Sequence, residues 1–162
     1  MLVGMTAAVP LSTRYKILMH IDELTSLSDS QVADLLALMR ELDPEITVTA
    51  EMVRAAAKAP GTHLFVAREE AGSIIGCASL CVFESPTGRK ASIEDVVVGE
   101  AYRGRGIGRA LVEQVVDYAG RELAPVDLHL TSRPARVAAN GLYRKLGFGK
   151  RETNVYRMHL PE

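Results

Sequence analysis

Hydrophobic positions change period twice along the chain. From Leu27 to Lys58 they recur at helical spacing, from His63 to Val98 they alternate or cluster as in strands, and beyond Ile107 helical stripes and short apolar runs follow one another. Tyr15–Ile21 (YKILMHI) reads as a first strand. Ser28 and Gln31 then form an S-x-x-Q capping box, with Leu27 and Val32 placed as a hydrophobic staple and Asp29 in the first turn. The helix they open carries Val32, Leu35, Leu36 and Met39 on one face and stops before Pro44. Thr49 is placed to cap a second helix with the stripe Met52, Val53, Ala56 and Ala57, ending at Pro60 and Gly61.

Three strands are predicted next: His63–Arg68, Ser73–Phe83 after a turn at Gly72, and Ser92–Val98 after the turn Ser85-Pro86-Thr87-Gly88. Such short connections imply an antiparallel meander. Ile107, Leu111, Val112, Val115, Val116 and Ala119 then keep helical spacing to about Arg121, and Val126–Leu130 is a strand. Ala135, Ala138, Leu142 and Leu146 make a further helical stripe that ends on Gly147, with Phe148 placed to complete a Schellman motif. Val155–Leu160 alternates as a last strand would. The order predicts an α+β fold, one domain over residues 1–162 with a mixed central sheet flanked by helices and residues 1–13 disordered.

Composition narrows the function classes. With 162 residues, 48% apolar and 24% charged, the chain is long enough for one continuous core and is not of disordered type. It lacks an apolar run of membrane-spanning length, and MLVGMTAAVP lacks the basic lead of a signal peptide, so a soluble cytoplasmic protein without a membrane partner is expected. Two cysteines, Cys77 and Cys81, have no histidine at metal-ligand spacing; they read as small core hydrophobes, and no metal is expected. Charge is uneven: Tyr15–Lys58 holds eight acids against four bases, Arg103–Arg151 ten bases against four acids. A basic half poor in aromatics suits a phosphorylated small ligand better than a nucleic acid, with scattered solvated charge as the plainer reading.

The stretch AYRGRGIGRAL (residues 101–111) concentrates that basic charge around three glycines. Gly104, Gly106 and Gly108 let the backbone take unusual dihedrals and present its N–H groups at the start of a helix, the arrangement that binds phosphate. Arg103, Arg105 and Arg109 add charge for such a ligand. A P-loop needs Lys followed by Ser or Thr after its last glycine, and no such pair occurs in the chain. A dinucleotide fingerprint would need a small residue where Leu111 or Arg109 stands, and a meander precedes it rather than a βαβ unit. The remaining pattern, [QR]-x-x-G-x-[GA], is met by Arg103, Gly106 and Gly108.

IEDVVVGEAYRGRGIGRALVEQVVDYA followed by LYRKLGF resembles the GNAT superfamily of acetyl-CoA-dependent N-acetyltransferases, firmly over Ser92–Phe148 and by element order over most of the chain. The resemblance implies acetyl-CoA as acetyl donor, its pyrophosphate on the amides of Arg103, Gly104, Arg105, Gly106, Ile107, Gly108 and Arg109, and its pantetheine arm paired with the main chain of Val96, Val97 and Val98. The strand bearing those valines and the next, Val126–Leu130, are expected to splay around that arm. It implies direct transfer to a primary amine of a small molecule or peptide in a ternary complex, and homodimers through C-terminal strands are common in the family.

Within that resemblance Tyr143 is the expected general acid toward the CoA sulfur, since a phenol of pKa about 10 donates while neutral at pH 7; a core aromatic is the alternative. Its other implication is that the backbone N–H of Val96 meets the acetyl carbonyl. An acid inside IEDVVV is costly unless paired or functional, so Glu94 is the candidate base, a water-relay partner or a structural ion pair. Alternation places it with Val96 and Val98 and raises its pKa by partial burial, while Asp95 faces oppositely unless a bulge intervenes. His129 is a weaker candidate. Relatives often carry asparagine where Arg136 stands; Asn140, one turn on, is placed to substitute, and Arg136 to reach a CoA phosphate. The rival reading from another class is a non-catalytic acyl-CoA sensor.

Overall fold

The computed structural model describes residues 19–160. Its elements are β1 (His20–Leu24), α1 (Asp29–Leu42), α2 (Ala50–Lys58), β2 (Thr62–Arg68), β3 (Ile74–Ser85), β4 (Gly88–Val98), α3 (Ile107–Tyr118), β5 (Asp127–Leu130) and α4 (Val137–Lys145). The strands form one five-stranded sheet in the order β1-β2-β3-β4-β5, antiparallel from β1 to β4 and parallel between β4 and β5. The α+β class with a mixed sheet, and the meander at its centre, are as the sequence predicts. The chain divides into two compact units, one through Thr131 and one from Ser132 on.

Local chemistry explains the helix starts. The Gln31 N–H donates to Ser28 Oγ at 3.3 Å and the Ser28 N–H to Gln31 Oε1 at 2.9 Å, closing the predicted capping box. Thr49 Oγ1 accepts from the Met52 N–H at 3.2 Å and caps α2. Arg54 on α2 donates to the Leu27 carbonyl at 2.6 Å and pairs with Asp29, tying the second helix to the first turn of α1. Strand alternation then sorts the core. Leu64 and Val66 of β2 cluster with Leu35, Leu38, Val53 and Ala57 of α1 and α2. The intervening Phe65 instead meets Tyr118 of α3 edge-on, 5.4 Å between ring centroids. Helices α1 and α2 therefore cover one face of the sheet and α3 the other. Fully buried Leu35, Leu80 and Leu111 each contribute about 1.5–3 kcal/mol of hydrophobic stabilisation.

Several expectations are corrected. Of the predicted first strand, Tyr15–Leu18 lies outside the described residues, as do residues 1–13, and the strand seen runs on to Leu24 because it follows its antiparallel register with Leu64–Arg68. Strands β3 and β4 meet in a tight hairpin, Ser85 opposite Gly88, and are longer than their apolar cores. Val155–Leu160 is not a strand: alternation alone does not make one, and no ladder partner is present among the described residues, so Val155, Tyr156, Met158 and Leu160 stay exposed. Helix α3 ends at Tyr118 and widens into a π-helical turn over Ala119–Leu123. In the second unit, α4 ends in the predicted Schellman motif: the Phe148 N–H donates to the Tyr143 carbonyl at 3.0 Å, and the Gly147 N–H to the Arg144 carbonyl at 3.1 Å, with Gly147 at φ 92°. None of the described helices is long and apolar enough to cross a membrane.

Candidate active site

Strand β4 is interrupted where its acids lie. Cys77 pairs with Val97 and Ser79 with Glu94, so Asp95 and Val96 together oppose Ala78, a β-bulge in which Asp95 takes φ 50°. The bulge resets the alternation. Glu94 shares its face with Val97, which packs in the α1/α2 cluster, and not with Val96 and Val98 as the sequence predicts. It is exposed and its carboxylate accepts the Ser92 hydroxyl. Asp95, expected on the opposite face in a regular strand, is turned toward a cavity on the α1/α2 side.

That cavity, ≈ 250 Å³, has Leu35, Met39 and Leu42 of α1 as one wall and Met52, Val53 and Ala56 of α2 as another. Ile46 and Val48 from the connection between the two helices line it as well, and its floor is Leu64, Cys77, Ser79 and Asp95. Half-exposed Met52, which the helical stripe predicts as core, is thus a cavity wall. Asp95 keeps much of its surface exposed, but partial burial of its carboxyl raises it above the ordinary carboxylate range, and the neighbouring Glu94 carboxylate raises it further. Burial also pushes the Cys77 thiol up to about 12, with Asp95 adding to the effect, so this sulfur stays protonated and is no nucleophile at neutral pH. Cys81 is only half-buried and also free. Asp95 is the site residue that alternation hides; the signal in the sequence is the pair of adjacent acids in an apolar strand, which no regular strand can bury on one side.

Beyond the bulge β4 has an open edge. Pairing with β5 covers only Lys90–Ile93, which face Asp127–Leu130; β5 ends there, still paired, so from Glu94 onward this edge of β4 has no ladder partner among the described residues, which leaves room for the expected splay without displaying it. The Gly99 N–H donates to the Ile75 carbonyl of β3 at 3.0 Å, and alternation of peptide groups therefore points the N–H and C=O of Val98 and Val96 away from β3, to the open side. The chain then turns through Glu100–Tyr102 into the glycine stretch. Gly104 and Gly106 adopt φ 75° and 81°, and the space where a Cβ would stand is open at both. The first backbone bond of α3 is from the Ala110 N–H to the Gly106 carbonyl at 3.0 Å, which leaves the N–H groups of Ile107, Gly108 and Arg109 without a helical acceptor. Amides on an open helix start, next to an open strand edge, fit an extended ligand that ends in phosphates.

The arginines of this loop have protein partners. Arg103 donates from Nε to the Val98 carbonyl at 2.9 Å and pairs with Glu41 of α1 at 3.1 Å. Arg105 lies over the Tyr102 ring, 5.4 Å from its centroid, and Arg109 pairs with Glu113 one turn on at 2.9 Å. Their positive charge is thus partly balanced within the fold, and the amides are the less committed donors.

The second unit holds the remaining candidates. Tyr143 on α4 is half-buried, packed edge-on against Phe148 at 6.1 Å; burial raises its phenol pKa, and Arg136 opposes that by a smaller amount. Asn140 donates from Nδ2 to the carbonyls of Arg133 and Arg136, at 2.9 and 3.0 Å, so its amide nitrogen pins the entry to α4. Arg136 is the N-cap residue of that helix. His129 is exposed on β5 opposite Ser92, and its ring meets Phe83.

A bulged strand with an open edge, feeding a glycine-rich helix start, defines an acyl-transferase class of fold. The family model of the acetyltransferase (GNAT) family matches residues 30–148, and the chain belongs to that family. It is 32% identical over 130 residues, 74% of its length and 76% of the relative's, to glucosamine 6-phosphate N-acetyltransferase 1 of Oryza sativa subsp. japonica. It is 36% identical over 87 residues to streptothricin acetyltransferase of Streptomyces lavendulae, covering 44% of that protein. Among solved structures, a Trypanosoma brucei acetyltransferase superposes with a TM-score of 0.67 at 26% identity, over 88% of this chain and 99% of that one. An aminoglycoside acetyltransferase from an uncultured soil metagenomic sample does so at 0.72 over 89% and 97%; at 17% identity that likeness shows the fold alone.

Proposed function

We propose that the chain is one acetyltransferase domain that moves the acetyl group of acetyl-CoA directly to a primary amine in a ternary complex, in the cytoplasm where the donor is available. The observation that carries this reading is the continuity of the open β4 edge with the unbonded amides of Ile107, Gly108 and Arg109. Acetyl-CoA supplies a thioester already activated for attack. The amides from Gly104 to Arg109 hold its pyrophosphate, the Arg103 N–H being already given to the Glu100 carbonyl at 3.3 Å, and the main chain of Val96 to Val98 holds the pantetheine arm, for which the Arg103 side chain must release the Val98 carbonyl. The Val96 N–H, on the open edge, polarises the acetyl carbonyl.

Asp95 is assigned to the amine. As a carboxylate it takes the proton that the ammonium must lose before its nitrogen can form the C–N bond; its raised pKa makes it the better acceptor. Glu94, beside it in the chain, holds Ser92 and shares the negative charge that attracts a cation. Tyr143 donates its phenolic proton to the sulfur as the C–S bond breaks and is reprotonated by the second proton that the nitrogen sheds on becoming an amide; the raised pKa keeps the phenol protonated at neutral pH. Asn140 supports the start of α4 through the Arg133 and Arg136 carbonyls, and Arg136 is assigned to a CoA phosphate. Relatives named N-acetyltransferases, among them glucosamine 6-phosphate N-acetyltransferase 1 and an N-alpha-acetyltransferase of Mycobacterium tuberculosis, support an amine acceptor.

Calorimetry with CoA and acetyl-CoA, alongside thiol release over a panel of amines, tests the proposal. Heat with both ligands and release with at least one amine is expected. No heat with either ligand would sink it, and tight binding with release on no amine would turn it into an acyl-CoA sensor.

A further inference from the structure

Taking the acetyl-transfer reading as its basis, we infer that the acceptor is a primary amine carried on an apolar body, an alkylamine or aralkylamine seated between α1 and α2 with its nitrogen at Asp95. Nine of the twelve residues lining the cavity have aliphatic or thioether side chains, and the polar ones, Cys77, Ser79 and Asp95, are together on the sheet floor. The floor thiol adds no charge, because Cys77 stays protonated. One carboxylate under an otherwise hydrocarbon chamber matches a ligand with one cationic end and an apolar remainder.

Size and charge separate this class from the sugar amines named for relatives. About 150 Å³ accommodates a benzene ring, so ≈ 250 Å³ holds a ring with a short linker, and a second or third sugar ring would lie outside it in solvent. None of the described residues lining the cavity is basic, so a phosphate has no counter-charge there. Each hydroxyl set against these walls goes unpaired and weakens binding by about tenfold or more. Ile46 and Met52 are about half exposed, 50% and 53%, which for large apolar residues on a cavity wall marks surface available to a ligand.

The test is thiol release by the full chain with acetyl-CoA and ethylamine, butylamine, hexylamine or phenylethylamine, against glucosamine 6-phosphate, an aminoglycoside and spermidine. We expect kcat/KM to climb about threefold to fourfold per added methylene until the chamber is full, with each sugar amine at least about a hundredfold below hexylamine. A flat alkyl series, or a sugar amine or spermidine as the best acceptor, overturns the inference. Met52→Gln and Ile46→Asn, at half-exposed positions on which the core does not depend, are expected to flatten the series; an unchanged slope counts against it. Calorimetry of hexylamine and ethylamine against CoA-saturated protein needs no turnover. Heat that grows with chain length upholds the chamber even if no acetyl group moves, and no heat with amines beside normal CoA binding overturns it while leaving the donor site standing.

Discussion

Replacing Gly106 by alanine isolates what the helix start does. Gly106 sits at φ 81° and caps α3, and an added Cβ would meet no protein atom within 4 Å, so the strain in the free protein is confined to the backbone. Holding alanine in the left-handed region costs about 1–2 kcal/mol, which for a domain of this size lowers Tm by roughly 2–8 °C. The methyl group also stands on the open side of the amides assigned to the pyrophosphate. Losing one charge-assisted bond there costs about 1.5–3 kcal/mol, so the Kd for CoA is expected to rise about tenfold to a hundredfold. Gly88→Ala is the control: its φ is 107°, its Cβ space is equally open, and it lies at the opposite end of β4 from Val98. Thermal melts and calorimetry on both variants separate strain from binding. Equal losses of CoA affinity in the two, or none in Gly106→Ala, would refute the assignment of the amides.

Three further expectations follow from particular contacts. Because the native Asp95 pKa is raised, the folded state holds more protons than the unfolded one from about pH 3.9 up to that raised value, so stability falls as pH rises through this window and stays lower above it. Asp95→Asn, which tolerates the same positive φ, should therefore be more stable than the parent in neutral denaturant melts, match it in acid, and lose acetyl transfer; lower neutral stability would show instead that the carboxylate is well paired. Tyr143→Phe is expected to cut kcat about a hundredfold with little change in amine KM, and the phenol, raised above its usual pKa, should add no alkaline limb to the rate profile below about pH 10; a wild-type kcat would remove Tyr143 from the chemistry. Thr49→Ala removes the cap on Met52 and should cost about 1 kcal/mol, or about 2–4 °C in Tm, an effect absent if Thr49 is merely a linker residue.

Which parts of this protein could be read in one dimension follows from the range of the forces involved. Caps, turns and stripes act within a few residues, so Ser28 with Gln31, Thr49, the Gly147 terminus and the meander around Gly72 and Gly88 are all legible from spacing. The glycine stretch is legible for the same reason, since its dihedrals and unbonded amides depend on its own residues and the helix they open. Ladder pairing and face assignment depend on a neighbouring strand. The Val155–Leu160 alternation has the right period and no ladder partner among the described residues, and both acids of β4 come to the α1/α2 side because Asp95 and Val96 both stand against Ala78. Met52 fits its helical stripe equally well as core or as chamber wall, and only the span between α1, α2 and the sheet decides that it lines a chamber. Short-range chemistry therefore determined the helix ends, the turns and the donor loop. Long-range pairing alone decided that both acids of β4 stand on the α1/α2 side with Asp95 at the apolar space, because one extra residue in a strand resets the alternation across it.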